Sequence, residues 1–118
     1  MGSKEIESFD TLMQIKLLPF LKEYGFHFLH KTIIENIGSY EVVFNKNEKN
    51  IILSFCMHHY DLFDGISLKL QDNNSKIDIF LNNLPNEERK IYSQLKPENA
   101  LIEIVNDLKT YCNDFLLS

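Results

Sequence analysis

A chain of 118 residues, 44% hydrophobic and 25% charged, has the balance of one folded domain, which argues against wholesale disorder and against two domains with a linker. Net charge is −5, and the twelve basic residues include a single arginine, Arg89, so nucleic-acid binding is disfavoured and a basic protein partner is suited. No apolar run approaches the roughly 20 residues of a bilayer span, and no apolar signal core follows the first charges; the chain therefore reads as cytoplasmic, with no membrane contact.

The first element is an amphipathic helix from about Lys4 to Tyr24. Ile6, Phe9, Met13, Leu17, Phe20 and Tyr24 recur at steps of three and four and form one stripe. Pro19 removes a backbone bond and bends or splits that helix, and Gly25 ends it. Leu12, Ile15 and Leu18 lie off the stripe and call for a second packing element or a partner.

A β-meander follows. Phe26 to about Glu35 is the first strand, and Asn36 to Ser39 is a turn. Tyr40 to Phe44 is the second, with Glu41 and Val43 opposite Tyr40, Val42 and Phe44. Asn45 to Asn50 is a polar hairpin loop. Ile51 to His59 is the third strand, with Ser54, Cys56 and His58 facing away from Leu53, Phe55 and Met57. Asp64-Gly65 opens a fourth strand through Leu70. This alternation predicts an antiparallel sheet with one apolar face.

Helical spacing returns after Ser75, a candidate helix cap. Ile77, Phe80, Leu81 and Leu84 fit a short amphipathic helix, although Ile77, Ile79 and Leu81 also fit a strand. Pro85 ends that segment, and another short one carries Ile91, Tyr92 and Leu95. Pro97 starts the final helix, with a stripe of Leu101, Ile104, Leu108, Tyr111, Cys112 and Phe115. The order predicts an α+β fold in one domain over residues 1–118: an antiparallel β-meander of about four strands, with N-terminal and C-terminal helices packed on one face.

Chemistry-bearing groups concentrate between Cys56 and Gly65. Cys56, His58, His59, Asp61 and Asp64 offer a thiol, two imidazoles and two carboxylates, the ligand types zinc accepts. The spacing matches no recognised zinc motif, and strand alternation obliges only Cys56 and His58 to share a face. A His–carboxylate acid–base pair would use the same residues, yet no nucleophile in a recognisable setting accompanies them. His27 and His30 fall on opposite strand faces unless a bulge intervenes. Cys56 and Cys112 form no disulfide framework and read as reduced thiols.

The run Leu17 to Phe26, with Leu21-Lys22-Glu23-Tyr24-Gly25-Phe26 at its end, precedes an aromatic-rich meander and a closing helix. This pattern resembles small bacterial domains of unknown function in which a helix ends in LxxxGF before a sheet, several of which resemble immunity proteins of bacterial toxin systems. The resemblance implies a non-enzymatic protein that neutralises a partner such as a basic nuclease toxin.

Recognition needs fewer special residues than catalysis. The favoured expectation is therefore a protein-binding domain without cofactor, metal or catalytic residue. Its contact set is Glu41, Val43, Cys56, His58, His59, Asp61 and Asp64, and its partner is another protein, with a homodimer through the first helix or a sheet edge as a further state. The alternative is a metal-dependent or His/Asp acid–base enzyme, or a small-molecule-binding module, built on residues 56–64.

Overall fold

The N-terminal stripe forms two helices. In the structure, a computed structural model that describes residues 2–34, 38–56, 65–84, 92 and 95–118, α1 spans Gly2–Lys16 and α2 spans Leu18–Glu23. The division falls at Leu17 because Pro19 has no N–H to extend the α1 ladder. Ile6, Phe9, Met13, Leu17, Phe20 and Leu21 are buried, Leu12 and Leu18 pack against their cluster, and Ile15 stays exposed. Gly25, at φ +91°, ends α2. Phe26 N–H donates to the Leu21 carbonyl (3.1 Å) and Gly25 N–H to the Lys22 carbonyl (3.0 Å), the paired bonds of a Schellman motif. The Leu21–Phe26 motif is thus accounted for by helix termination between two buried apolar residues.

Five strands follow, one more than the alternation pattern gives. They are β1 (His27–Ile34), β2 (Ser39–Lys46), β3 (Lys49–Cys56), β4 (Ile66–Asp72) and β5 (Ile77–Phe80), antiparallel and paired in chain order. The expected polar loop over residues 45–50 shrinks to Asn47-Glu48, since Asn47 takes φ +57° and lets the ladder run through to Lys46 and Lys49.

The added strand corrects the helical reading after Ser75. The Asp72 carboxylate accepts from the N–H groups of Asn74 (3.0 Å) and Ser75 (3.4 Å), forming a turn that Lys76 closes at φ +57°. That turn sends Ile77–Phe80 back along β4, which has backbone groups to satisfy. A 3-10 turn, Leu81–Asn83, then buries Asn82 completely. Its side chain donates to the Ile66 carbonyl (3.1 Å) and accepts from Leu68 N–H (3.2 Å), so an amide bonds β4 where β5 has ended.

Along β2, β3 and β4, Tyr40, Val42, Phe44, Ile51, Leu53, Ile66, Leu68 and Leu70 form one buried face. Both helical ends cover it. Phe9 of α1 meets Tyr40 edge-on at 5.6 Å and stacks on Phe55 at 4.5 Å. From the other end come α3 (Pro97–Tyr111), which packs against α1, and the short α4 (Asn113–Leu117). Leu101, Ile104, Leu108, Cys112 and Phe115 are buried, but Tyr111 of the expected stripe is exposed. Lys46 and Lys49 also project to this side. Lys46 Nζ donates to the Leu116 carbonyl (2.9 Å) and Lys49 Nζ to the Phe115 carbonyl (2.8 Å), placing two cations at the C-terminal end of α4. No helix of the described residues is long and apolar enough to cross a membrane.

Replacing Asn82 with Ala leaves a buried N–H and a buried carbonyl without this amide. The expected cost is about 2–4 kcal/mol, read as a lower urea midpoint at unchanged m-value. A loss below about 0.5 kcal/mol would show that the amide does not hold the edge of β4.

Candidate functional site

Register decides which residues share the outer face, the side opposite the helices. Its cross-strand rows run His30, Val43, Ile52, Lys69, Phe80 and Thr32, Glu41, Ser54, Ser67. The expected contact residues Glu41, Val43 and Cys56 all project here, but their accessibility differs. Glu41 is exposed and Cys56 is half-buried. Val43 is buried at 6% exposure, flanked by His30 and Ile52 in its row. His58, His59, Asp61 and Asp64 lie outside the described residues.

A feature of β1 adds to this face. The register slips between Phe28 and His30, so His27 pairs with Asn45 and His30 with Val43, two positions on the same side of β2. The bulge thus puts both imidazoles on the outer face, where strict alternation separates them. His27, His30, Thr32 and Ile34 are all exposed there beside Glu41. No glycine marks this bulge, so alternation alone does not reveal it. Farther along, Lys69 bridges Asp78 at 3.0 Å and lies over the Phe80 ring at 5.6 Å.

The strongest electrostatic perturbations lie on the helix side. Asp10 accepts from Tyr40 Oη (2.6 Å), Gln14 Nε2 (2.8 Å) and Lys31 Nζ (3.1 Å), tying α1 to β1 and β2. Tyr92 Oη donates to Asp107 (2.8 Å) within the core. Burial, then the neighbouring carboxylate, raises both phenols above their ordinary range, so each stays a neutral donor. Burial, with Asp107 nearby, pushes the Cys112 thiol up to about 11, which keeps it protonated and poorly nucleophilic near neutrality. Burial and then Lys46 lower Lys49. Helical and strand periods place Asp10 and Tyr40 on elements that meet, but they do not pair them.

A groove of about 440 Å³ opens between α1, the end of β3 and the start of α3. Phe9, Leu12, Phe55 and Pro97 give it an apolar wall, with Lys4, Glu5 and Ser8 at its polar side. Among the described residues, no group of three or more His, Cys, Asp and Glu side chains is placed to hold a metal ion. Cys56 and Cys112 are free thiols.

The raised phenols carry a sign. A tyrosine whose folded pKa exceeds its unfolded value of about 10 contributes stability fully present below pH 10 and lost as pH climbs above it. Urea stability of the native chain should therefore fall above about pH 10, and a Tyr40→Phe, Tyr92→Phe double variant should fall less steeply from a lower starting value. Parallel slopes for the two proteins would contradict the assignment. No protein-family model, no curated protein and no solved structure matches this chain.

Proposed function

We propose that this chain is a cytoplasmic, non-enzymatic protein-binding domain of the immunity type, acting by surface contact with another protein. A basic partner, such as a toxin, suits its net charge of −5. The observation that carries the reading is the one-sided helix cover. The helices pack on the inner face of the sheet, while His27, His30, Thr32 and Glu41 form an exposed strip on the outer face. Two imidazoles, a hydroxyl and a carboxylate on a rigid sheet supply directional hydrogen bonding, and Ile34 beside them adds apolar area. Buried Val43 and half-buried Ile52 flank the strip in the same cross-strand row as His30.

The test is site-specific photocrosslinking in the native host, with a benzophenone side chain placed at Glu41, at His30, or at Thr110, an exposed control position on α3. Positions 41 and 30 should each capture one and the same protein, different from this chain, and position 110 should not. Glu41→Lys should then weaken binding of that purified protein by about tenfold or more in calorimetry. Equal capture from position 110, or no capture together with a small molecule retained in native mass spectrometry, would overturn the reading.

A further inference from the structure

The two edges of the sheet are finished differently. At one edge, β5 is only four residues long, carries Asp78, and gives way to the Asn82 amide. These are devices that discourage strand addition. The other edge, β1, is neither short nor acidic, and its bulge, between Phe28 and His30, lies outside the Lys31–Ile33 stretch. This strand is eight residues long and exposed throughout, with no proline and no acidic residue. Phe28, Leu29, Ile33 and Ile34 are each 41–49% exposed on it. Its one permanent cation, Lys31, is already neutralised by Asp10 at 3.1 Å on the helix side. An apolar, locally neutral edge on a chain of net charge −5 presents no charge of its own to a charged foreign strand, and its lack of acid spares it the repulsion between two acidic copies.

Hydrogen-bond parity shows which backbone groups are on offer. Cys56 N–H donates to the Gly65 carbonyl (2.7 Å), so even positions of β3 bond to β4 and odd positions to β2. Carried through the register, odd positions of β2 bond to β1. Thr32 and Ile34 of β1 therefore bond inward to β2, and Lys31 and Ile33 turn their N–H and C=O groups outward.

We propose that β1 pairs antiparallel with β1 of a second copy, joining two five-stranded sheets into one of ten strands; His30 and Thr32 of the outer-face strip then flank the seam, whereas Glu41 on β2 lies one strand away from it. With Thr32 on the two-fold axis, Lys31 lies opposite Ile33 of the second copy and exchanges both backbone bonds with it. His30 lies opposite Ile34 of the second copy. Each opposed pair shares a sheet face, as antiparallel pairing demands, and Lys31 never meets its own copy, which a register centred on Lys31 would force. A strand-edge contact of this length is small, so the dimer forms in the micromolar range.

Thr32 and its copy occupy a non-hydrogen-bonded pair, where Cα atoms approach to about 4.5 Å, within disulfide reach. In a Cys56→Ser background, Thr32→Cys should yield a disulfide-linked dimer under mild oxidation. In sedimentation equilibrium the native chain should shift from monomer to dimer between about 10 µM and 1 mM. Ile33→Lys sets a lysine against Lys31 of the second copy and should abolish that shift, whereas Ile79→Lys on β5 should leave it intact. A native chain monomeric throughout, a Thr32→Cys chain that does not crosslink to itself, or equal loss from both lysine variants overturns the proposal. A monomer that still captures a protein from position 41 removes the dimer and leaves the binding domain standing. A dimer without such capture does the reverse.

Discussion

The apolar inner face of the sheet must be covered, and the residues that cover it come from opposite ends of the chain. Tyr40, Val42, Phe44, Leu53, Leu68 and their neighbours would lose much of their burial in a bare meander. Burying one such side chain is worth about 1.5–3 kcal/mol. Neither end suffices alone. Phe9 of α1 reaches Tyr40 and Phe55, and Phe115 of α4 stacks near Phe26 at 6.1 Å. Because α1 also packs on α3, both ends belong to one cooperative core. The described helices cover this inner face, and the outer face mixes polar residues such as His30, Glu41 and Lys69 with Val43 and Ile52.

Several polar groups are bonded inside or beside this core, and they tie separate elements together. Asp10 and Tyr40 fix α1 over β2, Lys46 and Lys49 hold the carbonyls ending α4, and Asn82 completes β4. Buried polar groups are costly unless satisfied. Here each is satisfied only in one arrangement of helix on sheet, so these bonds select the geometry that apolar packing alone would leave loose.

Much of this was legible in the residues. Five of the six stripe positions, Ile6, Phe9, Met13, Leu17 and Phe20, and the alternation of β2, β3 and β4 follow from periods of 3.6 and 2. The segment after Ser75 did not, because Ile77, Phe80, Leu81 and Leu84 satisfy the helical period as well as Ile77 and Ile79 satisfy the strand. The unpaired groups of β4 and the Asp72 turn decide it, and both depend on distant pairing. The candidate site divided in the same way. Glu41 and Cys56 could be assigned to a face from alternation, but the burial of Val43 depends on cross-strand neighbours, and the meeting of His27 with His30 depends on a bulge. His58, His59, Asp61 and Asp64 fall outside the described residues.

The chain-order sheet has a kinetic consequence. Every strand pairs with its predecessor, so each ladder closes a short loop and costs little entropy. The expensive closure is the meeting of α1 with α3, across some eighty residues of intervening chain. Zippering of the hairpins can therefore run ahead, while the barrier gathers at helix docking. Substitutions in the β2–β3 turn would then change the folding rate little, and those where α1 meets α3 would change it most.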